Sequence, residues 1–200
     1  MRLNRFPLQY VFGVLCIVWL FVSSSAHSDF VANLIRGVGV AFVIVGVYGR
    51  LYATIFIGGM KNEGVDGKSF IDYGAYSLCR NPLYLFSFVA FVGILALKGQ
   101  IALIVIGALI YLWIYRMTIL SEEEFLESKF GEPYKQFLQK TSRFFPRLEG
   151  FHCPEKIEVR PEFLHKEIRR ALNWFLGVVT ILAIEVLQYY EILPVFWRIY

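Results

Sequence analysis

Four or five apolar runs, most of them close to the length of a bilayer crossing, divide the chain. The first is about Gln9 to Ala26. The second is about Phe30 to Ile57 and is interrupted by Arg36 and Arg50. The third runs from Tyr84 to Leu97 and the fourth from Ile101 to Tyr115, with only Lys98-Gly99-Gln100 between them, a spacing that predicts a tight helical hairpin. The last is about Leu172 to Leu187 and holds Glu185. A helix crosses the hydrocarbon core with about twenty residues, so the third and fourth runs, being slightly short, recruit Pro82, Leu83 and Met117 at their ends. Apolar residues make up 57% of the chain and charged residues 18%, against about a quarter charged in a soluble domain. Much of the surface must therefore face something other than water. The expected fold is an all-α polytopic membrane helix bundle with about five transmembrane helices.

The formal charge of +4 is spread along the chain. Cytoplasmic loops of membrane proteins produce such an excess, and nothing in it points to nucleic acid. Arg2 and Arg5 precede the run Tyr10 to Val22, and Ser23-Ser24-Ser25-Ala26 follows it, the look of a secretory signal. Further spans follow at once, so the run reads as a retained anchor. Arg2, Arg5, Arg50, Lys61 and Lys68 all fall on one side if each span crosses once. Arg116, Lys129, Lys135, Lys140, Arg143 and Arg147 fall there too. That side is the cytoplasm, and the amino terminus lies in it. Length allows one domain: a membrane core over residues 1–147, then a linker and a carboxyl-terminal transmembrane helix over 148–200. Cys16, Cys79 and Cys153 are isolated, which offers neither a metal knuckle nor a disulfide framework. His152-Cys153 and His165 lack metal-ligand spacing, and no metal site is expected.

Lys61 to Lys68 is polar and glycine-bearing, hence a loop. Past the fourth span, Ser121 suits an N-cap with Glu124 completing a capping box. Gly131 can end that helix and Pro133 can begin the next, which carries Tyr134, Phe137 and Leu138 on one face. Phe151 to Pro161 reads as loop. The run His165 to Arg170 reads as a basic membrane flank.

Two cytoplasmic segments hold the residues suited to chemistry. In Tyr73 to Tyr84, Asn81 can cap a helix opened by Pro82, and Arg80 and the tyrosines suit interfacial anchors. Glu122-Glu123-Glu124, Phe130-Gly131-Glu132-Pro133-Tyr134 and Arg143-Phe144-Phe145-Pro146 form the second. Taken singly, each is explained by capping and solvation.

Together they resemble the isoprenylcysteine carboxyl methyltransferase and phospholipid methyltransferase family. Its G-x-Y-x-x-x-R-[HN]-P-x-Y segment stands here as Gly74-Ala75-Tyr76 through Arg80-Asn81-Pro82-Leu83-Tyr84. Its Glu-Glu pair, its F-G-x-x-Y and its basic-aromatic-proline ending follow in order. The resemblance covers about Arg36 to Arg147. It implies S-adenosylmethionine-dependent methyl transfer to a membrane lipid or lipid-like acceptor. It also implies a cytoplasmic cofactor pocket over the hairpin, with contacts from Lys68, Ser69, Phe70, Ile71, Tyr76, Asn81, Pro82, Leu83 and Tyr84. Glu122 aligns with the carboxylate that holds the methionine ammonium, with Glu123 as the near alternative. Arg80, Asn81 and Tyr84 are the implied catalytic residues. The chemistry agrees: a carboxylate suits an ammonium, and aromatic rings suit an adenine or a sulfonium. Two departures weigh on the acceptor. Asn81 stands where the carboxyl methyltransferases favour His, and Thr118 where they place a substrate arginine, so a head-group amine is favoured over a prenylcysteine carboxylate. The rival readings are a membrane NADPH-dependent sterol-type reductase and a non-catalytic membrane scaffold.

Overall fold

A computed structural model describes residues 5–57 and 69–200. The expected loop Lys61–Lys68, and with it the cofactor contact assigned to Lys68, lies outside the described residues. Among those residues the chain is helical: α1 (Arg5–Val22), α2 (Asp29–Phe56), α3 (Ala75–Leu78), α4 (Pro82–Ala96), α5 (Ile101–Phe130), α6 (Glu132–Lys140) and α7 (Pro161–Tyr189). Two short strands, β1 (Ser23–Ser25) and β2 (Trp197–Ile199), complete it.

Three of the described helices, α2, α5 and α7, are long and apolar enough to cross a membrane. The apolar stretches of α1 and α4 are shorter. Side chains such as Val38, Leu109 and Val179 stand exposed on the long helices, as lipid-facing residues do. These features mark a membrane protein. Backbone groups in hydrocarbon must be satisfied within the segment, which is why such runs are helices.

Two helices depart from the expected boundaries. The fourth apolar run does not stop before a separate acidic helix; α5 continues unbroken from Ile101 to Phe130. Ser121 is therefore inside the helix and is no N-cap. No Gly or Pro occurs between Tyr111 and Phe130, and Glu, Ser and Lys prolong a helix as readily as they leave a membrane. Gly131, at φ 63°, ends it as expected, and α6 follows with Pro133 in its first turn. Similarly, α7 begins at Pro161, so the run His165 to Arg170 belongs to the same helix as the last apolar run.

The chain packs as two compact units. Unit one comprises Met1–Val43, Phe91–Ile114 and Trp174–Tyr200. In it β1 and β2 pair in parallel, Ser23 opposite Trp197 and Ser25 opposite Ile199, a pairing that no local pattern announced. The hairpin turn is buried here. Gln100 accepts a 2.7 Å hydrogen bond from Trp19 Nε1, and Gly99 accepts one of the same length from Ser25 Oγ. Lys98 is fully buried; it pairs with Glu185 and donates to Gln188 Oε1 at 2.7 Å. Glu185 also pairs with Arg36, which reaches the Leu97 carbonyl at 3.3 Å. Arg36, one of the two charges that interrupt the second apolar run, and Glu185 in the last thus neutralise each other, the condition for keeping ionised groups inside a membrane bundle.

Unit two comprises Ile44–Ala90 and Tyr115–Asn173. One apolar cluster joins Ala53, Phe56 and Ile57 of α2 and its end to Ile71, Ala75 and Tyr76. A second joins Leu126 of α5 to Tyr134 and Phe137 of α6, with Phe70 packed against it. Phe70 meets Tyr134 and Phe137 with ring centroids 5.0 and 5.4 Å apart. Aromatic pairs at such separations add about 0.5–1.5 kcal/mol each beyond burial.

Candidate active site

Local chain geometry in unit two gathers the residues of the two motif segments. Gly74 sits at φ 59°, and a Cβ there would lie 2.3 Å from the Phe56 ring. Both the conformation and the space demand glycine. One turn of helix, α3, follows, and Cys79 then runs extended before Pro82 opens α4. The stretch after α6 laces this segment in place through its backbone. Arg80 N donates to the Ser142 carbonyl at 2.9 Å, Arg147 N to Leu78 at 3.0 Å, and Gly74 N to His152 at 2.8 Å.

The part of α5 beyond the apolar run carries Glu122 and Glu123 to this segment. Glu123, whose side chain is 9% exposed, forms an ion pair with Arg80 at 3.4 Å. Arg143 engages both of its oxygens, with Nε at 3.2 Å from each and Nη2 at 2.8 Å from Oε2. Asn81 Nδ2 donates to Glu123 Oε1 at 3.2 Å and to the Arg143 carbonyl at 3.3 Å. Glu122 has a different partner: it accepts a 2.9 Å hydrogen bond from the Tyr84 hydroxyl. Tyr84 in turn packs against Tyr115 with ring centroids 5.4 Å apart.

The electrostatics follow from burial. Desolvation lowers the Arg80 guanidinium below its ordinary value, and the Glu123 charge opposes that shift. Hydrogen bonding to Glu123 raises Arg143. Burial pushes the phenols of Tyr76 and Tyr134 well above their usual range, so both are neutral donors. Burial likewise pushes the Cys79 thiol up to about 11, which removes it as a nucleophile at neutral pH. The Tyr76 hydroxyl is buried and has no hydrogen-bond partner among the described residues. Such a group costs roughly 1–3 kcal/mol unless something satisfies it.

Of the residues the motifs singled out, Arg80, Asn81, Tyr84, Glu122 and Glu123 are brought together by these bonds. Ile71 and Tyr76 lie in the adjoining apolar cluster, with Leu83 packed against it. Pro82 is buried at the start of α4, Phe70 belongs to the aromatic cluster of α6, and Ser69 is exposed. A cleft of about 600 Å³ opens beside them, with Phe70, Ser77, Leu78, Phe137 and Ser142 among its lining residues. Arg143 was absent from the expected set. Its only signal was its place at the head of the basic-aromatic-proline ending.

A family model described as phospholipid methyltransferase matches residues 34–133. The nickel-cobalt-cadmium resistance protein NccN of Alcaligenes xylosoxydans xylosoxydans is 29% identical over 189 residues, covering 94% of this chain and 85% of that protein. The cobalt-zinc-cadmium resistance protein CzcN of Cupriavidus metallidurans is 30% identical over 183 residues, covering 88% of this chain and 82% of that protein. The similarity to these proteins therefore runs past Arg147 into the tail. No solved structure matches the chain.

Proposed function

The chain belongs to the phospholipid methyltransferase family, and from that premise we propose that it moves a methyl group from S-adenosylmethionine to a membrane lipid or lipid-like acceptor at the cytoplasmic face. One observation carries the reading: the Glu122–Tyr84 pair stands beside a frame in which Arg80, Asn81 and Arg143 already occupy Glu123.

The residues present fit the cofactor. Two arginines converge on Glu123, whereas Glu122, which aligns with the family's ammonium ligand, is a carboxylate suited to that group and accepts a hydrogen bond from the Tyr84 hydroxyl. The rings of Tyr84 and Tyr115 offer faces to a cationic sulfonium. The buried Tyr76 hydroxyl, lacking a partner among the described residues, is a donor for a ligand atom. When bound, S-adenosylmethionine supplies a methyl open to in-line displacement. The protein's task is to hold the acceptor in line and keep water out. Asn81 and Tyr84 flank the transfer, and Arg80 fixes their frame through Glu123. A neutral amine or a carboxylate attacks without a general base. Asn81 in place of His, and Thr118 in place of a substrate arginine, favour a head-group amine.

Calorimetric titration of the purified protein with S-adenosylmethionine and with NADPH tests the reading. Binding of the first alone supports it, and binding of NADPH alone replaces it with the reductase reading. Incubation with methyl-labelled cofactor, host lipid extract and a farnesylcysteine analogue then identifies the acceptor. Base-labile label on the analogue, with none on lipid, refutes the amine preference. The names of the two relatives support one addition, that the reaction serves metal tolerance. A deletion strain grown against cobalt, nickel and cadmium, with and without the intact gene, tests it.

A further inference from the structure

Arg50 is one of the two charges that interrupt the second apolar run, and its surroundings join three helices of unit two. Its side chain is 14% exposed and that of Glu167, on α7, is 4% exposed. The two meet as a fork, Nε to Oε1 at 2.6 Å and Nη2 to Oε2 at 3.0 Å. The remaining nitrogen, Nη1, donates to the Leu83 carbonyl at 3.2 Å and to Ser87 Oγ. Ser87 Oγ itself donates to the same carbonyl at 2.6 Å. Arg170 closes the far side, 3.1 Å from Glu167 Oε2. A helix carbonyl ordinarily accepts one bond, from the amide four residues on; this one receives further donors from a guanidinium and a hydroxyl.

Leu83 lies between Pro82 and Tyr84, in the first turn of α4 and two residues after Asn81. The position of that turn decides where Asn81 and Tyr84 stand. Arg50 can serve the turn only while its guanidinium is held in one plane. Glu167 holds it there, a bidentate grip that a point charge would not give. Glu167 lies outside the segment matched by the family model, within the run His165 to Arg170 that reads in sequence as a mere basic flank.

We propose that Glu167 is a positioning residue: acting through Arg50, it sets the first turn of α4 and so aligns Asn81 and Tyr84. Its meaning for methyl transfer rests on the function proposed above; its meaning for the helix does not. A purely structural ion pair can be exchanged for apolar side chains of similar volume with little loss of stability. Two methionines would fill the space of this pair but could not donate to the Leu83 carbonyl. The double variant Arg50→Met/Glu167→Met therefore separates the two roles.

Hydrogen exchange, melting temperature and S-adenosylmethionine affinity are measured on the detergent-purified full chain. In the double variant the expected melting temperature is close to wild type. Amide exchange in the peptide covering Leu83 to Phe88 rises severalfold, and a peptide within Asp29 to Val43 of unit one is unchanged. Cofactor affinity or turnover falls about tenfold or more, the scale of loss when a reacting group is displaced. Wild-type exchange at Leu83 to Phe88 in the double variant overturns the proposal. If the double variant does not fold, Glu167→Asp, whose shorter arm withdraws the fork, decides on the same peptide. Raised exchange supports the proposal and wild-type exchange overturns it. If wild-type protein fails to bind S-adenosylmethionine, the functional reading falls and the exchange result still decides this one.

Discussion

Adjacent positions on a helix point about 100° apart, and this separates Glu122 from Glu123. Glu123 faces Arg80, Asn81 and Arg143, whereas Glu122 faces Tyr84. Their substitutions should fail differently. Glu122→Gln should weaken S-adenosylmethionine binding by roughly 1.5–3 kcal/mol, the worth of a charge-assisted hydrogen bond, with little change in melting temperature. Glu124, exposed on α5, should tolerate the same change. Equal losses at the two positions in calorimetry would remove Glu122 as the ammonium ligand. Glu123→Ala, by contrast, removes the buried carboxylate on which Arg80, Asn81 and Arg143 converge. It should destabilise the protein by about 3 kcal/mol, seen as a lowered melting midpoint before any assay of activity. A third test concerns thiols. Burial raises Cys79 to about 11, so it stays protonated, and unreactive, through pH 8. Cys153 is exposed. Iodoacetamide at pH 8 should therefore modify Cys153 and spare Cys79, as peptide mass mapping would report; rapid labelling of Cys79 would contradict its burial.

At the scale of elements, the position of α3 depends on a single glycine. Gly74 takes a positive φ, and the Phe56 ring fills the space where a side chain would go. Gly74→Ala should cost about 2 kcal/mol or more, combining a left-handed conformation with a clash. Because Tyr76 and Asn81 follow within seven residues, cofactor affinity should fall along with stability. A variant that kept both would show that the turn can be rebuilt. The two helices whose limits differ from the apolar pattern, α5 and α7, share one cause. Hydropathy reports where a helix leaves lipid, while helix termination needs a residue such as Gly131 or Pro161 that breaks the hydrogen-bond ladder. In α5 the polar extension is what carries Glu122 and Glu123 to the segment of Arg80.

For the whole molecule, the basic residues predict five crossings with the amino terminus inside. Single cysteines at Asp29 and Glu155, both exposed, in a background lacking Cys16, Cys79 and Cys153, test this with an impermeant thiol reagent. Labelling from opposite sides is the expected result, and same-side labelling overturns the topology. Gln100 would be a poor probe, because it is buried against Trp19 and Ser23. The helical, membrane-bound character was legible in the sequence, as were the start of α4 at Pro82 and the end of α5 at Gly131. So was the family, from Gly74-Ala75-Tyr76 through Tyr84 and the Glu-Glu pair. These are properties of short stretches, because hydropathy, caps and motif spacing act over a few residues at a time. The tertiary structure alone decided which charges meet. Arg143 with Glu123, Arg50 with Glu167, and Arg36 and Lys98 with Glu185 are pairs 20 to 149 residues apart. So are the β1–β2 register and the choice of Glu123, rather than Glu122, as the partner of two arginines. An ion pair forms where folding brings two side chains within a few ångströms in a poorly solvated place. No periodicity along the chain encodes that distance.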